Sequence, residues 1–145
     1  MRKGWLLTGF VITLLMFAPS AWSKSNSIKI GINAPLTGDI PKVGEGAKFA
    51  AQMWLEDLNA AGGIDVGGKK YPVELVIEDN ESKAESAVKA NTKMITEDEV
   101  LVIVGPQASA QAVPAGEVAN NWKTPMISPW STNPDRKSTR LNSSH

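Results

Sequence analysis

The chain has no cysteine and only one histidine, which is its last residue, His145. Disulfides, thiolate metal sites and cysteine nucleophiles are therefore excluded. The body of the chain can build neither a Ser-His-Asp constellation nor a histidine metal cluster. Arginine is missing from the body as well. Between Lys24 and Pro134 stand ten lysines, no arginine and fourteen acidic residues, a net charge of −4. A mildly acidic body without arginine lacks the basic face that nucleic acid requires. The longest apolar run, Trp5 to Ala18, has about 14 residues, short of the roughly 20 that span a bilayer. These absences lead us to expect no catalytic residue, no metal, no cofactor and no nucleic-acid partner.

What is present begins with an address. Arg2 and Lys3 give a basic start, the apolar run follows, and Ala21-Trp22-Ser23 closes it with small residues. This is the layout of a secretory signal peptide over residues 1–23, cleaved after Ser23. No cysteine follows the run to take a lipid, so the expected product is a soluble, exported protein, most simply periplasmic. At the other end, residues 135–145 read "DRKSTRLNSSH", a polar tail with Arg136, Lys137 and Arg140. It resembles the translation of a sequencing adapter and is set apart as a non-native tail. A genuine flexible terminus is the rival. Residues 24–134 are the candidate domain.

Within that domain Ile28, Ile30 and Ile32 alternate before Pro35 and Gly38, which predicts a strand entering a turn-rich loop. Ala47, Ala50, Ala51, Trp54, Leu58 and Ala61 follow at helical spacing, stopped by Gly62-Gly63. A Gly-Gly turn and a β-rich run from Tyr71 to Ile77 come next. Ser82-Lys83-Ala84-Glu85 matches a capping box, and Ala84, Ala87, Val88, Asn91 and Ile95 mark one face of the next helix. "VLVIVGP" is a continuous apolar run, expected for a strand buried on both faces of a parallel sheet. A helix opening near Ser109 tolerates Pro114 in its early turns, and "TPMISPW" is the last strand. Strands alternating with helices predict an α/β fold with an open, mostly parallel βαβ sheet.

Ligands of such sheets bind outside the carboxyl ends of the strands. Three loops leave those ends: "NAPLTGDIPKVGEG", "GPQASAQ" and "SPWSTNP". Ser109 stands at a helix N-terminus, where free N–H groups favour a carboxylate and a hydroxyl adds a donor. Equally, it can cap its own helix. Ser131 and Thr132 can donate to an anionic group or hold a turn. Trp130 suits either the wall of an apolar pocket or a plug between loops. The acidic run "EDNES" fits no EF-hand spacing and reads as a solvated strand end. "GEG" at Gly44–Gly46 is not a dinucleotide fingerprint.

Taken in order, "IKIGINAPLTG", "NAAGGI", "VELVIEDNES", "VIVGPQASAQAVPA" and "MISPWSTNP" resemble the start of a type I periplasmic solute-binding protein. The likeness is narrower still to the branched-chain amino-acid receptors of ABC importers, and it covers residues 28–134. The resemblance implies a partial first lobe of a two-lobed protein. Such a protein captures an amino acid between its lobes, acts as a monomer and docks on a membrane permease. It implies that Ser109, with Ala108 beside it, meets the ligand's carboxylate together with Ser131, Thr132 and the backbone of Trp130. It also implies that the loop from Leu36 to Gly44 lines the pocket. Two departures matter: Trp130 replaces a small residue, and Val43 stands where relatives often carry an aromatic. Two alternatives stay open: a sensor or regulator of amides, urea or small carboxylates on the same fold, and an α/β enzyme with its catalytic residues in an unseen half.

Overall fold

The structure, a computed structural model, describes residues 27–132. Along them run β1 (Ile28–Ala34), α1 (Pro41–Ala60), β2 (Ile64–Val66), β3 (Lys69–Tyr71), β4 (Val73–Asp79), α2 (Ala84–Thr96), β5 (Val102–Val104), α3 (Ser109–Asn121) and β6 (Met126–Ile127). The signal segment and the polar tail lie outside the described residues. β4, β1, β5 and β6 form one sheet in that order, parallel throughout. β2 and β3 make a separate antiparallel hairpin.

β1 explains the layering, because its period-2 alternation feeds both faces of the sheet. Ile30, Ile32 and Ala34 turn to one side, where they pack with Ala51, Leu55 and Leu58 of α1 and with Leu75 and Ile77 of β4. Gly31 and Asn33 turn to the other. A side chain at Gly31 would meet Met94 Sδ at 2.7 Å, and Asn33 bonds to α2. There Ala90 and Met94 of α2 pack with Val100, Ile103 and Met126. α3 lies beside α2, joined to it by Asn91 Nδ2, which donates to the Ala115 carbonyl at 2.8 Å.

The two faces are not equally covered. α2 and α3 close one side, whereas α1 packs mainly on β1 and β4 and leaves much of the β5–β6 half of its own side uncovered. Val102 and Val104 are therefore only half-buried and Ile127 is exposed. With Ala47, Ala50 and Trp54 of α1 they line an apolar cavity of about 420 Å³ whose one polar wall residue is Gln107. A strand buried on both faces was expected here, and only Ile103 meets that expectation fully.

Other differences are local. α1 opens at Pro41, a residue whose fixed φ suits a first helical turn, rather than near the glycines. The Gly67-Gly68 turn is flanked by two short strands that lack clear alternation. The capping box does not form: Lys83 is the N-cap of α2, no side chain caps it, and Ser82 precedes it with φ 58°. Ser82 is turned instead toward the β1–α1 loop. The buried stripe of α2 is Ala87, Ala90, Asn91 and Met94, one step round from the predicted face, and Ala84 is exposed.

Candidate functional site

The parallel sheet brings the carboxyl ends of β1, β5 and β6 to one edge, so the three predicted loops leave from the same side. At its centre α3 begins. Ala108 is the N-cap, in extended conformation, and Ser109 is the first helical residue. Ser109 does not stand at the N-cap position itself, which Ala108 occupies without a side-chain cap bond. Its hydroxyl oxygen accepts instead from the following loop: Ser131 Oγ donates at 3.0 Å and the Thr132 backbone N–H at 3.2 Å. Three residues singled out from the sequence thus meet around one hydroxyl, although 22 positions separate Ser109 from Ser131.

Burial divides their roles. Ser131 is only 4% exposed and anchors the loop, whereas Thr132 and the Trp130 side chain, 62% exposed, face outward. Ser128 Oγ pins the base of the loop by donating to the Pro106 carbonyl at 2.5 Å. No acidic residue occupies the first turn of α3, so no side-chain carboxylate there offsets the partial positive charge of the helix end. Val43 is half-buried in the first turn of α1, at the end of the β1–α1 loop.

Replacing Ser109 with Ala removes the acceptor for both loop donors. We expect a loss of about 1 kcal/mol in stability and faster amide exchange at Thr132 with the sheet unchanged. Urea unfolding and hydrogen exchange measure the two effects.

The acidic run holds no metal arrangement, and no group of three or more metal-capable side chains occurs among the described residues. Glu78 pairs with Lys93 at 2.6 Å. Hydrogen bonds from Ser86 and Lys83 hold Glu81 below the usual carboxylate range. Asp79 was expected to be a solvated strand end. It instead accepts four hydrogen bonds, from Leu36 N, Thr37 N, Thr37 Oγ1 and Glu81 N. Nothing local in the sequence marks that role, because its partners at Leu36 and Thr37 lie 42 to 43 positions away.

The described residues form an open α/β lobe, with a helix N-terminus and hydroxyl-bearing loops at the carboxyl edge of its parallel sheet. More narrowly, residues 27–142 match the model of the periplasmic binding protein family, and the chain belongs to that family. The match runs eight residues into the polar tail. The chain is similar to a Leu/Ile/Val-binding protein of Rhizobium johnstonii, 34% identical over 129 residues, 89% of this chain and 33% of that protein. It is 31% identical over 111 residues to a leucine-, isoleucine-, valine-, threonine- and alanine-binding protein of Pseudomonas aeruginosa, 77% of this chain and 28% of that one. Among solved structures it resembles the branched-chain amino-acid transporter substrate-binding protein LivJ of Streptococcus pneumoniae in complex with isoleucine. There the TM-score is 0.71 with 33% identity, over 77% of this chain and 31% of that one. The chain spans about a third of the length of the relatives it matches.

Proposed function

We propose that this chain is the amino-terminal part of the substrate-binding component of an ABC importer, exported to the periplasm by residues 1–23. Its ligand is a branched-chain or related amino acid, delivered to a membrane permease. The observation that carries this reading is the Ser109 hydroxyl, set at the mouth of α3 and bonded to Ser131 and Thr132. A helix dipole, the Ser109 hydroxyl and the exposed Thr132 together suit the carboxylate of an amino acid. Val43, Ala108 and Trp130 border the place where the rest of that ligand would lie. The names of the relatives support the substrate class.

A second lobe closing over the ligand would exclude water and strengthen these contacts. Residues 24–134 alone are therefore expected to bind leucine weakly or not at all. Calorimetric titration of that segment checks this, and a micromolar Kd would contradict it. The reading itself is tested on the full-length product of the gene. Leucine, isoleucine and valine should bind with micromolar or tighter affinity, and Ser109→Ala should weaken them at least tenfold. No heat with any aliphatic amino acid would overturn the reading.

A further inference from the structure

The β1–α1 loop and the start of α3 are both placed at the ligand edge by the reading above. A third segment, the turn from Asp79 to Lys83 between β4 and α2, touches each of them. On one side, Asp79 Oδ1 accepts from the backbone N–H groups of Leu36 at 2.9 Å and Thr37 at 3.1 Å, and Oδ2 accepts from Thr37 Oγ1 at 2.6 Å. Ser82 Oγ donates to the Thr37 carbonyl at 2.9 Å and accepts from Ile40 N–H at 3.3 Å. Gly38, at φ 85°, packs so closely that an added side chain would collide with the Glu81 carbonyl. On the other side, Gln111 Nε2, a buried residue in the first turn of α3, donates to the Ser82 carbonyl at 2.6 Å. Gln111 stands two residues from Ser109.

The turn that makes this bridge is conformationally unfavourable on its own. Glu81 and Ser82 are consecutive non-glycine residues at φ 52° and 58°, a left-handed pair that persists only where surrounding bonds over-determine it. Those bonds come from the turn's own first two side chains. Glu81 N–H donates to Asp79 Oδ1 at 2.8 Å and Ser82 N–H to Asn80 Oδ1 at 3.0 Å. The same Asp79 oxygen therefore holds the turn and the β1–α1 loop at once.

We propose that Asp79 is a positioning residue of the ligand site: through the left-handed turn at Glu81-Ser82 it fixes the β1–α1 loop relative to Ser109 and the mouth of α3. This rests on the ligand-capture reading for its purpose, but not for its geometry. The charged groups around Asp79 are few. The loop carries Asp39, the turn carries Glu81 paired with Lys83, the first turn of α2 carries Glu85 paired with Lys89, and the first turn of α3 has no acidic residue. Burial pushes the Asp79 carboxyl up, but the hydrogen bonds from Thr37, Glu81 and Leu36 outweigh it and leave the group below its ordinary value. A carboxyl lowered on folding contributes above its unfolded value and fails as the pH falls through its folded one. The clamp is therefore complete above the ordinary aspartate value and is released as the pH falls through the lower folded one.

The test is amide-resolved NMR of the 145-residue chain without ligand. Between pH 7 and acid, the N–H groups of Leu36, Thr37 and Glu81 and the side-chain amide of Gln111 should share one midpoint below about 3.9. Asp79→Asn at pH 7 should speed amide exchange at Leu36–Ile40 at least tenfold while the β1 and β5 amides keep theirs. Thr37→Val, a milder change, should raise the common midpoint without dividing it. If Gln111 keeps its shift while Leu36 and Thr37 titrate, or if Asp79→Asn leaves loop exchange unchanged, the proposal is wrong. Millimolar leucine added to full-length protein scores the ligand reading separately. Failure to bind would remove that reading and leave the shared midpoint standing.

Discussion

Gly105→Ala is expected to cost about 3 kcal/mol or more and to lower the melting temperature by on the order of 15 °C. Two effects act together. Gly105 leaves β5 at φ 105°, a conformation that a side chain disfavours by about 1–2 kcal/mol. Its Cβ would also fall on the carbonyl oxygen of Asn33 in the neighbouring strand, well inside van der Waals contact. Overpacking against a fixed backbone typically adds about 1–3 kcal/mol. Neither strand end can retreat easily, because Gly105 N–H also donates to the Ile127 carbonyl at 2.7 Å. Gly46→Ala is the control. That glycine lies in α1 with nothing within 4 Å of an added Cβ, so the same change should stabilise by up to about 1 kcal/mol. Thermal and urea unfolding of the pair give opposite signs if backbone approach governs. Equal effects would rule out backbone approach as the cause of the loss at Gly105.

Asn33→Ala should be about as damaging, for a different reason. Asn33, Asn80 and Asn91 are all fully buried and form one network. Asn33 Nδ2 donates to Asn91 Oδ1 at 2.8 Å and to the Ala87 carbonyl at 2.9 Å, and Asn80 Nδ2 donates to Asn33 Oδ1 at 2.8 Å. Truncation takes this partner from two buried side-chain groups, Asn91 Oδ1 and Asn80 Nδ2, each costing about 1–3 kcal/mol, while the Ala87 carbonyl lies within helix α2. A total of about 3–5 kcal/mol is expected, read as a fall in the urea midpoint. Asn33→Asp separates hydrogen bonding from volume. Its second oxygen would face two acceptors, and burial would raise its pKa. That variant should recover part of its loss, relative to the parent chain, as the pH drops and the carboxyl gains a proton. A loss independent of pH would count against the network.

The parts of the fold that showed in the sequence were those governed by local period and punctuation. The isoleucine alternation of β1, the alanine-rich spacing of α1 and the opening of α3 at Ser109 all appear where that logic put them. So does the edge on which Ser109, Ser131 and Thr132 meet, because parallel strands must bring their carboxyl ends together. What stayed hidden depends on partners distant in the chain. Ser82 carries the pattern of a helix cap, yet Thr37 and Ile40 compete for its hydroxyl and win. Asp79 reads as one of several solvated carboxylates until the loop 42 residues earlier folds against it. The run from Val102 to Val104 states that its side chains are apolar. It does not state whether both faces of the strand are covered.

That uneven cover has a consequence for how the polypeptide is wound. α1 connects β1 to β4 in one direction across the sheet, whereas α2 and α3 connect β4 to β5 and β5 to β6 in the opposite direction. Right-handed crossovers therefore assign leftward and rightward steps to different sides of the sheet. A further parallel strand added outside β6 by the same rule would bring its helix to the side of α2 and α3, which is already closed. Only a crossover travelling back toward β4 lays a helix beside α1. The groove at Trp54 and Gln107 thus records a direction of travel, one that a simple continuation past β6 does not reverse.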